Sequence, residues 1–288
     1  MRLETCRPTL SNLLAVTGEV SPKIQDRVQI AHQSIAPIAA ATLTKTSAAP
    51  VPAKTSEWAR KLLNFQPSAK QAEVLDVNAK YLMLCCNRQW GKTTTVAIKA
   101  LHLALTVPNQ TIVIISRTKL QAGLLTEKAT EFCIALGYPK RRVLGHEFSL
   151  KFDNGSRIVA VPHTQDTSLG RTANVLVVDE AAQVKDEVYF SVSPFVARTH
   201  GKIWLLSTPS RQAGFFYNYW HDESTQWRRV FSNITDCPEI DADFLEMQRR
   251  ADPIRYQQDF LCEFVQPANR LCNREFARSI LRKPDRHN

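Results

Sequence analysis

The stretch "LMLCCNRQWGKTTTVAIKALHLAL", residues 82–105, decides the fold. An apolar run passes through a Gly-Lys-Thr turn into a helical pattern, the arrangement of a phosphate-binding loop. Cys86-Asn87-Arg88-Gln89-Trp90-Gly91-Lys92-Thr93 matches GxxxxGK[ST] except at its first position, where cysteine replaces glycine. The chemistry needs backbone N–H groups pointing into one concavity, a lysine reaching the β- and γ-phosphates, and a hydroxyl that ligates Mg²⁺ at the helix start. Gly91, Lys92 and Thr93 provide these. Cys86 has only to end a strand, which a small residue does if its φ stays negative.

Outward from this stretch, "TIVIIS" (111–116), "VLVVD" (175–179) and "KIWLLST" (202–208) are further short apolar runs of the kind parallel sheets bury on both faces. Together with "YLMLCC" (81–86), and with helical patterns at 92–106 and 119–136, they predict an α/β domain with a mainly parallel sheet and helices on both faces. "EFSLKFDNGSRIVAVP" (147–162) predicts a hairpin closed by a type I′ turn at Asn154-Gly155. "QRRADPIRYQQDF" (248–260) reads as helices broken at Pro253. "GFFYNYW" (214–220) reads as the packing face of an amphipathic helix, in preference to a base-stacking platform.

The run at 175–179 ends in Asp179-Glu180. A carboxylate at the tip of a neighbouring strand holds the shell of a metal ion, and the next one orients an attacking water. Joined to the Gly-Lys-Thr turn, the acid pair makes this a nucleotide site. The run at 202–208 ends in Ser207-Thr208-Pro209, where hydroxyls can sense the γ-phosphate. Gln71, ahead of the first strand, has a carboxamide that can pair with an adenine edge as donor and acceptor together.

Composition sets bounds on this reading. The 288 residues include 44% hydrophobic and 22% charged side chains, enough for a proper core. No apolar run is long enough to span a membrane, and Glu4 and Pro8 interrupt the first residues where a secretion signal would build. The net charge of +10 permits a nucleic-acid partner, but the excess sits mostly in the two ends. The seven cysteines lack CxxC spacing and the seven histidines are scattered. Free thiols in a reducing cytosol are expected, and a zinc site is not.

"CNRQWGKTTT", "NGSRI", "GRTANVLVVDEAA" and "LLSTPSRQAGFFYNYW", in this order, resemble the ATPase domain of the large terminase subunit, the DNA-packaging motor of tailed phages. The resemblance covers roughly residues 58–265. It implies a P-loop NTPase fold of RecA-like (ASCE) type with a small lid-like helical subdomain, and ATP and Mg²⁺ as cofactors. Lys92 and Thr93 would bind phosphate and metal, within a nucleotide-binding set of Gln71, Asn87, Arg88, Gln89, Trp90, Gly91, Lys92, Thr93 and Thr94. Asp179 would join Thr93 at the metal, and Glu180 would be the catalytic carboxylate. Arg88 resembles the loop arginine that offsets transition-state charge, and Arg171 sits where an arginine finger is supplied to a neighbouring subunit. Ser207, Thr208 and Pro209 resemble the motif that couples hydrolysis to movement.

The implied partners are double-stranded DNA, a portal protein, a small terminase subunit and further copies of the chain in a ring, all in the cytoplasm of a bacterial host. The expected domains are a leader and linker over 1–56, a P-loop ATPase core over 57–235, a helical lid-like subdomain over 236–266 and a basic tail over 267–288. Terminase large subunits usually continue into a nuclease. The acids after Gln266 are Glu275 and Asp285 alone, too few for a two-metal site, so no nuclease activity is expected of this chain. Two alternative readings exist. A superfamily 2 helicase-like DNA-dependent ATPase needs a second RecA-like domain, for which the chain has no room. A truncated prophage remnant would bind nucleotide without packaging DNA, yet every catalytic position named above is intact.

Overall fold

The computed structural model describes residues 54–161, 172–224 and 226–266. Seven strands form one sheet: β1 (Tyr81–Cys86), β2 (Thr111–Ile115), β3 (Ser149–Lys151), β4 (Arg157–Ala160), β5 (Val175–Asp179), β6 (Lys202–Ser207) and β7 (Arg228–Ser232), in the order β3-β4-β2-β5-β6-β1-β7. All neighbours pair in parallel except β3 with β4. The helices are α1 (Thr55–Leu62), α2 (Ala69–Asp76), α3 (Lys92–Thr106), α4 (Lys119–Ala135), α5 (Asp186–Val192), α6 (Phe215–His221), α7 (Ala242–Ala251) and α8 (Pro253–Asp259).

The strands are continuously apolar because both faces are covered. Alternate residues of β1 serve different layers: Leu82, Leu84 and Cys86 join the core under α1–α4, while Met83 and Cys85 join the core under α5 and α6. Phe215 and Phe216 are buried in that second core, where Phe215 stacks on Tyr189 at 4.0 Å. The aromatic run at 214–220 therefore packs inward. Five described cysteines are buried free thiols. Among the described residues, no helix is long and apolar enough to cross a membrane.

One sequence expectation differs from the structure. The hairpin is not closed by a type I′ turn, which needs positive φ at both central residues; Gly155 has it (φ 82°) and Asn154 does not. The physical reason is that the Asn154 amide donates to the Ala104 carbonyl at the end of α3 and its oxygen accepts from Ser156 N–H, which pins a longer loop. Helix α1 begins at Thr55, and Ser56 in its first turn donates its N–H and its hydroxyl to the Asp76 carboxylate. Edge strand β7 extends the sheet beyond β1; its Val230 and Ser232 are buried, while Arg228 and Phe231 are exposed. The expected leader, up to residue 53, and the basic tail at 267–288 lie outside the described residues.

Candidate functional site

The order of the sheet sets the site. β1, β6 and β5 are adjacent and parallel, so their C-terminal tips open on one edge. From β1 the chain turns through residues 87–91 into α3. Cys86 keeps out of the positive-φ region, whereas Gln89 (φ 64°) and Gly91 (φ 88°) enter it. The alternation folds the loop back on itself. Gly91 is required there: besides its φ, an added Cβ would meet Gln71 Nε2 at 3.0 Å. No acceptor among the described residues takes the amides of Gln89, Gly91, Lys92, Thr93 or Thr94. These are the orphan donors of a helix start, and together with the helix dipole they favour an anion.

The loop is braced from behind. Asn87 N–H donates to Ser232 O (3.1 Å) and Arg88 N–H to Asp259 O (2.8 Å). The Asn87 amide is buried and donates to Arg88 O, and the Trp90 ring is buried in the core. Gln71 lies on α2, where its carboxamide completes a capping box with Ser68 and donates to Trp90 O at 2.8 Å. Both ends of that amide are engaged with the protein, so Gln71 holds the loop in this structure.

Lys92 is buried, and its ammonium donates to Cys86 O, Asn87 O and Thr208 Oγ1, each at 3.0 Å. Asp179 ends β5 in register with Leu206 of β6. Burial pushes the Asp179 carboxyl up to about 7; the Glu180 charge adds to the rise, while Lys92 and the Glu180 N–H oppose it. That N–H donates to Asp179 Oδ1 at 3.0 Å, in a left-handed turn at Glu180 (φ 51°). Ser207 ties the acid turn to β6: its hydroxyl accepts from Ala182 N–H and donates to Thr208 O. The acid pair, the Ser207-Thr208 step and the loop lysine thus form one connected network.

These groups border a cleft of about 1230 Å³. Arg88, Gln89, Gly91, Lys92, Thr93, Thr94, Glu180, Thr208 and Pro209 line it. Gln71, Asn87, Trp90, Asp179 and Ser207 stand behind its wall, and Arg171 lies outside the described residues. The lining also includes Arg117, Lys185, Arg211 and Arg255, which sequence reasoning missed. Scattered basic residues carry no local signal; only the fold gathers them. They make the cleft cationic against Glu180, Asp252 and Asp259. Arg88 is half-exposed, and its Nε pairs with Asp259 at 2.7 Å.

The loop at the tip of β1, the acid pair two strands away at the tip of β5, and helices on both faces define the class: a P-loop α/β domain of RecA-like type. The family model "Terminase large subunit, T4likevirus-type, N-terminal" matches residues 83–278, and the chain belongs to that family. Solved structures share the fold at low identity. The large terminase ATPase domain of Thermus phage P74-26 is 19% identical, with a TM-score of 0.62 over 74% of this chain and 99% of that one. The large terminase of another thermophilic bacteriophage is 15% identical with a TM-score of 0.58, covering 73% of this chain and 52% of that one. For the HK97 bacteriophage large terminase the values are 13% and 0.55, over 78% and 51%. The chain thus spans about half the length of those two. The second of these three terminases has also been solved in complex with ADP and with ATP-γ-S.

Proposed function

We propose that this chain is the ATPase motor domain of a terminase large subunit, hydrolysing ATP to drive double-stranded DNA into a procapsid. The observation that carries this reading is the shared cleft: Lys92, Glu180 and Thr208 border one cationic space beside unpaired loop amides, in a chain of this family. The nucleotide complexes of a fold relative support ATP as the ligand.

In this reading the amides of residues 89–94 and the Lys92 ammonium take the β- and γ-phosphates. To do so, Lys92 exchanges one or more of its present acceptors for phosphate oxygens. The Thr93 hydroxyl and the Asp179 carboxylate are oxygen donors suited to a hard cation, and Mg²⁺, if held by them, would offset charge on the triphosphate. Glu180 orients water in line with the γ-phosphate. Arg88 and Lys92 offset the charge that develops as the bond breaks. An arginine finger from a neighbouring copy, for which Arg171 is the candidate, would add a factor of about 10³–10⁵.

Thr208 touches Lys92 and Ser207 fastens the acid turn, so a change at the γ-phosphate passes directly to the chain beyond Pro209. The DNA backbone is gripped without reading sequence, and a portal protein, a small subunit and a ring of copies complete the machine in the host cytoplasm.

The test is steady-state ATP hydrolysis by the full chain with and without linear duplex DNA over a range of salt. The expected outcome is magnesium-dependent turnover that the duplex stimulates, with stimulation falling steeply as salt rises. No hydrolysis in any of these conditions contradicts the reading.

A further inference from the structure

A second chamber of about 920 Å³ adjoins the cleft, at the tips of the adjacent strands β2, β5 and β6. Four residues line both cavities and so form the neck between them. They are Arg117 after β2, Gln183 and Lys185 after β5, and Arg211 after β6. Three of the four are cations and none is an acid.

These cations differ from others on the surface. Lys70, Lys119, Arg141 and Arg228 each hold a carboxylate. Among the described residues Arg117, Lys185 and Arg211 hold none, and Arg117 donates to the Gln183 carboxamide oxygen alone, at 3.3 Å. The acids of the chamber wall are Asp186, whose Oδ1 accepts from Phe215 N–H at 2.9 Å, and Glu187; neither lines the neck. Ser116 is also on the wall. It is 1% exposed, and its hydroxyl has no partner among the described residues. A buried hydroxyl without a partner is costly, and gathered cations without a counter-charge repel one another. A small anion with several acceptor oxygens relieves both.

We propose that Arg117, Lys185 and Arg211, with the Ser116 hydroxyl, form a second phosphate site, separate from the phosphate positions of a nucleotide in the cleft. The proposal rests on the reading of that cleft as a triphosphate site. The planar forks of two arginines suit tetrahedral phosphate oxygens, and a lysine adds a point charge. Two sources carry this chemistry: the phosphate split from ATP, which meets the neck from inside the cleft, and a phosphate of a DNA backbone, which meets the chamber from outside. Lys185 follows the acid turn and Arg211 follows the Ser207-Thr208-Pro209 step, so an occupant touches the chain beyond both.

Equilibrium dialysis of labelled inorganic phosphate against the full chain saturated with magnesium ATP-γ-S tests this, because the nucleotide already fills the phosphate positions of the cleft. The expected result is saturable phosphate binding with ATP-γ-S retained. Arg211→Ala, a change at an exposed position, weakens it by about tenfold or more through loss of charge-assisted bonds, and Ser116→Ala weakens it by a few-fold. A short DNA duplex then identifies the source. Phosphate that stays bound beside the duplex assigns the site to the free ion; phosphate displaced by a duplex that itself binds more weakly to Arg211→Ala assigns it to the DNA backbone. Phosphate binding unchanged in both variants overturns the proposal, as does a loaded chain that takes no phosphate and whose duplex affinity is unaltered by Arg211→Ala. If the unmodified chain does not bind ATP-γ-S, the triphosphate reading falls and takes this proposal with it; if ATP-γ-S binds and the second phosphate does not, the proposal falls alone.

Discussion

Helix α3 carries two buried lysines two turns apart, and they are equally hidden: Lys92 and Lys99 are each 8% exposed. Both donate to backbone carbonyls. Lys99 bonds Leu75 O and Val77 O, which closes the end of α2, and it lies 5.4 Å from the Trp204 ring centroid. Lys92 bonds Cys86 O, Asn87 O and the Thr208 hydroxyl, and it opens on the cleft. Burial and hydrogen bonding do not separate them. The difference is that Lys92 lines the cleft, where the proposed phosphate would offer a second set of acceptors, and Lys99 does not. A buried lysine is a site residue when its partners are exchangeable.

Substitution should break this pair apart. Lys92→Ala has the largest expected effect: loss of the phosphate-binding charge removes both ATP-γ-S binding and hydrolysis to background, measured by titration and phosphate release. Lys99→Met should leave nucleotide affinity within about twofold, because its acceptors lie away from the cleft, while stability falls as two carbonyls lose their donor at about 1–3 kcal/mol each.

The same substitution has a pH signature. Burial lowers Lys99 from 10.5 to about 7, helped by the Lys202 charge and opposed by Asp76. Between pH 7 and 9 the unfolded chain therefore binds more protons at this residue than the folded chain, so Lys99 makes stability rise with pH. Burial raises the five described thiols from 9.0, and they act in the opposite sense as pH passes that value. Denaturant melts across pH 7–9 should show the rise in the unmodified chain and a flatter profile in Lys99→Met. The smallest effect is expected from Thr208→Val, which removes one acceptor from the Lys92 ammonium. A hydrogen bond to a charged group is worth about 1.5–3 kcal/mol, so denaturant melts of the nucleotide-free chain should lose about that much stability while folding is retained.

The contrast also shows what is legible in a sequence. Strands β1, β2, β5 and β6 read clearly because burial on both faces makes them unbroken apolar runs. Strand β7 did not, since exposed Arg228 and half-buried Arg229 break the apolar run. The phosphate loop and the acid pair are compact in sequence, each with its chemistry in adjacent residues. The contacts that organise them are not. Thr208 finds Lys92, Gln71 finds Trp90, and Asp259 finds Arg88 only after the sheet is assembled. Asn154-Gly155 misled for the same reason: its side-chain partner Ala104 is on a different element. Local pattern carried the fold and the reactive groups, while long-range packing determined which partner each group holds at rest.

The most direct measurement of the central claim, that the loop around Gly91 and the acid at Glu180 act on one triphosphate, is the behaviour of Glu180→Gln. The substitution removes the carboxylate and leaves every loop contact intact. The account predicts ATP-γ-S binding at the unmodified affinity together with a fall in turnover of about 10²–10⁴-fold, the contribution of a positioned general base. Turnover at the unmodified rate in that variant contradicts it.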